Sequence, residues 1–511
     1  MMLTVLALTP IIGAFAVAFW PRGESDDQQS VKTLALVVSL LTLVIAAVAA
    51  VRFDVSAGGY QFVEQRDWIP AIGAHYALGL NGIGLTLVLL TTVLTPVLIL
   101  VAWGDRIPDP KRTNGYLAWM LALEGLAIGV FSATDVFLFY LLFEATLVPL
   151  YFLIGAHGGA GRSYAAVKFL IYNLVGGLLM LAAVVGLYAL TLQQGEASFL
   201  HGDLVDLELS EGAEKLLFLG FFIAFAIKAP IWPAHTWLPD AAASSSGPTA
   251  VLMVSIVDKI GTFAMIRWCL EIFPNASQWA SPVVLVLAVI SILYGALLAI
   301  GQDDLRRLIA FTSVSHFGFI VLGIFAFTTP STSGASLYMV NHGLSTAVLF
   351  LVVGMMVTRR GSASIGDFGG VQKAAPLLAG ILLIGGLSTL SLPGLAPFVS
   401  EFMVLAGSLT VSVPLAVAAA FGIILAAVYV LVMYRRTMTG PPQPGTEDVV
   451  ELSRREVTAM APLVALIVGL GFVPQPLLSV INPATESVIT QLDVSDPVPE
   501  HPVTSGEGVS E

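Results

Sequence analysis

Ala224-Phe-Ala-Ile-Lys-Ala-Pro-Ile-Trp-Pro-Ala-His-Thr-Trp-Leu-Pro-Asp240 is the stretch that decides how this chain reads. An apolar run enters it as a helix, and Lys228 sits at a depth where water should be absent. Pro230 then removes a backbone donor, and Pro233 and Pro239 prevent an ordinary helix from resuming at once. A charge beside a helix break is costly twice over inside a membrane. Ionisable residues at that depth mark functional sites by default. Irregular backbone is tolerated there only when it is buried in protein or lines a wet cavity. Together these features point to an ion pathway, most simply one for protons.

The rest of the chain is a membrane protein by composition. It is 57% hydrophobic and only 11% charged over 511 residues, which excludes an ordinary soluble globular domain. The apolar content falls in runs of about 20 residues, the length that crosses a hydrocarbon core. The single cysteine, Cys269, excludes an internal disulfide and a cysteine-held metal cluster within the chain, and reads as a small packing residue. The net charge of −12 lies in loops and tail, and no basic stripe predicts a nucleic-acid partner. Ala16-Val-Ala18 imitates a signal-peptide cleavage site. No Lys or Arg precedes that apolar run, so it reads as a retained first span.

Hydropathy predicts an all-α polytopic protein with fourteen transmembrane helices: 2–20, 31–51, 80–103, 115–132, 136–156, 165–192, 214–230, 249–270, 282–300, 305–327, 336–358, 376–394, 412–434 and 457–480. The seventh and twelfth continue past a break into a shorter second half. One set of alternate loops holds Arg22, Lys32, Arg106, Lys111, Arg112, Arg162, Arg306, Arg307, Arg359, Arg360, Lys373, Arg435, Arg436, Arg454 and Arg455. The other holds only Arg52, Arg66 and Lys215, together with the acidic segment 196–214. Fifteen against three predicts that the basic loops are cytoplasmic and both termini outside. The tail after Ile481 is acidic and reads as disordered.

With the loops set aside, the ionisable groups left at depth are Glu124, Glu144, Lys228, Asp258, Lys259, His316, His342 and Glu401. A Lys or Asp at mid-span costs about 2.5–3.5 kcal/mol on insertion scales, so each implies a partner, water or both. Lys168, Arg267, Asp135 and Glu271 lie near span ends, where snorkelling is the plainer expectation. Glu144, midway along the fifth span, reads either as a neutral carboxyl held by a helix neighbour or as a switchable counter-charge to Lys228. Lys259 adjoins Asp258, but adjacent helix residues do not face each other. It reads as a second station or as a packing lysine paired to another helix. His316 and His342, with Ser315 and Asn341 alongside, suit hydrogen-bonded relay members, since imidazole accepts and releases protons near neutrality. Structural polar packing is the alternative. Two histidines on separate spans lack the ligand count of a metal site.

The twelfth span mirrors the seventh. In Ser388-Thr-Leu-Ser-Leu-Pro-Gly-Leu-Ala-Pro-Phe-Val-Ser-Glu401, Pro393, Gly394 and Pro397 break the helix and a buried acid follows. Interrupted segments in corresponding positions of two halves point to an inverted-repeat transporter with its site at the breaks. The expected organisation is three N-terminal spans (1–114), two inverted five-helix repeats (115–271 and 281–437), a last span (456–480) and the tail (481–511).

The run from Lys228 to Ala241 resembles the hallmark of the antiporter-like subunits of respiratory complex I and of Mrp-type cation/proton antiporters. Glu144, Lys228, Lys259, His316 and His342 match that family's residues on the fifth, seventh, eighth, tenth and eleventh spans, and the resemblance extends to about residue 480. At the twelfth-span position the M-type chains of complex I carry glutamate, whereas L-type, N-type and Mrp chains typically carry lysine. Glu401, and the lack of the extra spans and lateral helix of L-type chains, place this sequence on the M-type branch. Glu124 resembles an acid of M-type chains. The family often has histidine shortly after Leu-Pro-Asp; here Asp240 is followed by Ala241, Ala242 and Ala243.

The resemblance implies a proton-translocating subunit of the bacterial cytoplasmic membrane, with Glu144, Lys228, Lys259, His316, His342, Glu401 and Glu124 transferring protons. It implies no redox centre in this chain. NADH, FMN, iron–sulfur clusters and quinone would belong to partner subunits, and the neighbours would be L-type and N-type chains. The sequence has no Rossmann glycine pattern and no cluster cysteines, in keeping with that division. Two rivals make different predictions. An Mrp-type Na⁺/H⁺ antiporter subunit would restore cation resistance to a sensitive host. A structural scaffold would lose assembly on charge removal yet keep pumping per assembled complex.

Overall fold

A computed structural model describes residues 1–21, 28–104, 110–446 and 449–496. Arg22, Arg106, the side chains of Lys111 and Arg112, and the tail beyond 496 lie outside the described residues. A hydrocarbon core offers no water to bond, so an apolar run must satisfy its own N–H and C=O groups, and the helix does so within one segment. Among the described residues eleven helices are long and apolar enough to cross a membrane. Met2–Ala18, Pro376–Thr389 and Ala396–Val411 are shorter apolar helices.

The helices are sorted by polarity in the sense opposite to a soluble protein. Gly247–Leu270 and Leu305–Phe325, which carry buried polar groups, are enclosed throughout, and Thr329–Arg360 nearly so. Gln29–Arg52, Val413–Met438 and Arg454–Phe472 stand at the rim and turn large apolar side chains outward, among them Val37, Val44, Phe421 and Ile424. Small residues let the inner helices approach closely, as expected where lipid gives no hydrophobic push between helices. At Gly318, on Leu305–Phe325, a Cβ would lie 2.6 Å from the Ala288 carbonyl of Pro274–Ile300.

Three departures from straight helix set up the interior, each with a local cause. The fifth expected span is two pieces, Val136–Ala145 and Leu147–Gly155. Pro149 cannot donate to the Ala145 carbonyl, so the ladder parts at Thr146, two residues after Glu144. Glu211–Lys228 ends where Ala229 turns extended ahead of Pro230, and the chain resumes as short helices at Ala234–Trp237 and Leu238–Ser244. The twelfth expected span stops at Thr389 and restarts at Ala396, across Ser391 at φ 60° and Gly394 at φ 93°. The eighth, Gly247–Leu270, is continuous but contains π-helical turns at Leu252–Val257 and Met265–Leu270, on either side of Asp258–Ala264.

Some expectations change. The all-α membrane class holds, with one addition: an antiparallel hairpin, Gln61–Ile69 with Ala74–Leu80, between the second and third spans. Glu64 of this hairpin accepts from Leu3 N (2.7 Å) and pairs with the N-terminal amine (2.9 Å), tying the first helix to it. The region after Ile481 is ordered at first: Gln475–Gln491 is an amphipathic helix whose Ile481, Ala484, Thr485, Val488 and Ile489 are buried. It is held by Thr485 to Ser333 (2.7 Å) and by Gln491 to the Glu271 carbonyl (2.9 Å).

Arg267, Asp135 and Glu271 do not snorkel; all three are buried. The hairpin and the short helix His201–Val205 bring polar partners over them. Glu271 meets His201 at 2.6 Å. Arg267 donates to the Ala133 carbonyl at 2.8 Å and lies over Tyr60. Asp135 caps its helix through Leu138 N and accepts from His75 N. Lys168 stays partly exposed and pairs with Asp240 at 2.7 Å, and Arg307 binds the same carboxylate at 2.6 Å.

Candidate functional site

Lys228 is the last residue of Glu211–Lys228, where unbonded carbonyls and the negative end of the helix dipole favour a cation. Its side chain is fully buried. The ammonium donates to Thr146 Oγ1 at 3.2 Å and lies 4.4 Å from the centre of the Phe143 ring. Both partners flank Glu144 at the break in the fifth span. Glu144 and Asp258 act on Lys228 electrostatically without touching it. Glu144 is partly exposed at the edge of the bundle, and its Oε1 has no hydrogen-bond partner in the protein. Its carboxylate presses against Gly177, where any Cβ would overlap it. The glycine is what makes room for the acid.

Asp258 is fully buried and neither of its carboxylate oxygens has a hydrogen-bond partner. It interacts electrostatically with both Lys228 and Lys259. The next station is better connected. Lys259 Nζ donates to the Val254 carbonyl five residues back (2.9 Å), within the first π-helical stretch, and meets His342 Nδ1 at 2.6 Å. Phe317 covers the ammonium with its ring centre 4.3 Å away. π-Bulges commonly mark functional sites; here the wider turn exposes the carbonyl that the lysine binds.

The two histidine rings are 5.3 Å apart, centre to centre, with no hydrogen bond between them. From His316 the bonds are consecutive: Nδ1 to Tyr338 Oη at 2.7 Å, then Tyr338 to Glu401 Oε2 at 2.9 Å. Ser391, in the break of the twelfth span, also donates to Glu401 Oε2. Tyr429 bonds His316 Nε2 at 3.3 Å. The proton positions follow. With Glu401 ionised, Tyr338 gives it its one hydroxyl hydrogen, so a neutral His316 donates from Nδ1 to Tyr338. His316 Nε2 is then the acceptor for Tyr429.

The buried residues Lys259, His342, His316 and Glu401 thus form one line, with Lys228 and the half-exposed Glu144 a station apart. Glu124 is fully buried, and no hydrogen bond joins it to the others. Ser315 and Asn341 are not in the line. Ser315 donates to the Ile292 carbonyl, and Asn341 to the Ala396 carbonyl and Ser400, so both fix helix contacts. Sequence reasoning missed Tyr338, Tyr429, Ser391 and Thr146. Tyr338 stands four residues before His342, one turn along the same helix face, which is the signal that could have found it. Among the described residues no group of three or more His, Cys, Asp or Glu could hold a metal ion.

The family model described as "NADH:quinone oxidoreductase/Mrp antiporter, TM" matches residues 133–426. NADH-quinone oxidoreductase subunit M of Mycobacterium tuberculosis is 49% identical, over 98% of this chain and 96% of that protein. Subunit M of Rhodobacter capsulatus is 36% identical, over 96% of both. A chain of respiratory complex I from Thermus thermophilus superposes with a TM-score of 0.86 at 30% identity, covering 96% of this chain and all of that one. A chain of the Mrp complex from a Dietzia species shares the fold at a TM-score of 0.83 and 21% identity, covering 96% and 99%. The chain belongs to the subunit M family of NADH-quinone oxidoreductase.

Proposed function

We propose that the chain is a proton-translocating membrane subunit of a bacterial NADH-quinone oxidoreductase and that the buried polar line is its route. The observation that carries this reading is the succession Lys259–His342 and His316–Tyr338–Glu401 inside an apolar bundle. A scaffold has no need of hydrogen-bonded titratable groups placed in succession across four helices, whereas a relay does.

In this reading the chain crosses fourteen times, with the basic loops cytoplasmic and both termini outside. Residues 115–271 and 281–437 are inverted repeats, which the breaks after Lys228 and after Thr389 support. A proton taken up from the cytoplasm loads Lys228 when Glu144 changes its hold. Asp258, which acts electrostatically on both lysines, lowers the cost of a charge passing between them. Lys259 and His342 receive it, and His316, Tyr338 and Glu401 deliver it outside. The gaps at Asp258 and between the histidines are where water or a side-chain movement completes the path. Glu124 is a further buried acid available to the first half. Energy comes from partner subunits that hold NADH, FMN, iron–sulfur clusters and quinone, with L-type and N-type chains as neighbours. Moving one charge against about 100 mV costs roughly 2.3 kcal/mol, so an external source is required.

Lys228→Ala and Glu144→Ala in the assembled complex test this. The expected outcome is normal assembly with proton pumping largely lost; pumping retained at the parental rate contradicts it.

A further inference from the structure

At the basic face, away from the relay, a cavity of about 960 Å³ opens between the ends of several helices. That volume is at the upper end of the ~300–1,000 Å³ typical of small-molecule sites. Four guanidiniums line it, from Arg162, Arg306, Arg359 and Arg455, against one carboxylate, Glu456. The carboxylate is already committed. It accepts two bonds from Arg359, at 2.9 and 3.0 Å, and closes the cap of its own helix through Ser453. Arg162 and Arg306 bond only backbone carbonyls, of Gly158 and Ser245, and Nε of both Arg306 and Arg455 is buried without a partner. Among the described residues no carboxylate pairs with these three arginines.

Three guanidiniums line one cavity with no carboxylate bonded to them among the described residues, which leaves an excess of positive charge there. The N-terminal end of the Gly247–Leu270 helix also lines the cavity and adds to it. Arginine forks match phosphate oxygens two at a time. Basic pockets between transmembrane helices take anionic headgroups. We propose that this cavity is a binding site for a phosphate ester, held by Arg162, Arg306 and Arg455. The source is either an anionic phospholipid or a soluble phosphate. The site does not depend on the proton route, and its failure leaves that route untouched.

The test uses the delipidated, assembled complex with three probes: dihexanoyl phosphatidylglycerol, dihexanoyl phosphatidylcholine and inorganic phosphate. Binding is counted by native mass spectrometry. The expected result is that Arg306→Gln with Arg455→Gln weakens one phosphatidylglycerol or phosphate site by about tenfold or more, the scale of a lost charge-assisted bond. Phosphatidylcholine should bind alike to parent and variant. Competition by inorganic phosphate assigns a soluble ligand, and binding of phosphatidylglycerol without such competition assigns the lipid. A second measurement needs no variant: phenylglyoxal labelling of Arg306 and Arg455 in the parental complex should slow when the bound probe is present. Equal binding by parent and assembled variant, or labelling unaffected by every probe, overturns the proposal.

Discussion

Tyr338 is the residue on which the second half of the proposed relay depends. Its hydroxyl is bonded to both His316 Nδ1 and Glu401, and among the described residues no other side chain joins them. Tyr338→Phe keeps the ring and its packing but leaves the histidine and the acid each short of a partner, at a cost of about 1–3 kcal/mol. Loss of a positioned proton carrier lowers rates by at least about tenfold in most sites. The expected outcome is an assembled complex whose coupled proton transfer falls by about that factor. Tyr429→Phe, which loses only the longer 3.3 Å bond, should fall less. The two are compared by fluorescence-quench pumping assays on membranes with equal complex content. The charged members of the line were legible in the sequence because burying a lone Lys, Glu or His in lipid is expensive enough to demand a reason. The tyrosines were not. An amphipathic ring is ordinary in a membrane helix, and only neighbours from other helices decide whether its hydroxyl bridges two titratable groups.

At the scale of elements, proline and glycine announced the breaks. Pro230, Pro393 and Gly394 mark where helices stop, and the structure stops them there. The part after Ile481 shows the opposite case. A search for unbroken apolar runs finds membrane spans but passes over a helix whose buried residues recur at 481, 484, 485, 488 and 489, the 3.6-residue period of a half-buried surface helix. The hairpin at 61–80 escaped for a similar reason: it is short, polar and lies between spans. The helix Gln475–Gln491 bridges Thr329–Arg360 and the end of the eighth expected span, through Ser333 and the Glu271 carbonyl. Val488→Asp would bury an unpaired carboxylate and should destabilise the chain by at least ~2 kcal/mol. Thr490→Asp, exposed on the same helix, should be within about 0.5 kcal/mol of the parent. Thermal inactivation of the assembled complex separates them. Equal half-lives would mean that this helix does not hold the two spans together.

The whole molecule is an apolar shell around helices that carry charge. Membership of the subunit M family rests on the full length of the chain, whereas the relay rests on a handful of side chains inside it. What the sequence could not supply was the order of contacts, because Lys259, Tyr338 and Glu401 lie on three different helices and meet only through tertiary packing. In the proposed route Lys259 stands between Lys228 and the histidines, so its removal bears most directly on the central claim. Lys259→Met keeps an unbranched side chain of similar bulk and removes the charge together with the bonds to the Val254 carbonyl and His342. The measurement is protons translocated per NADH oxidised by the assembled complex in proteoliposomes. A route through Lys259 predicts normal assembly and a clearly lowered ratio; a ratio equal to that of the parent, at equal NADH oxidation, contradicts it.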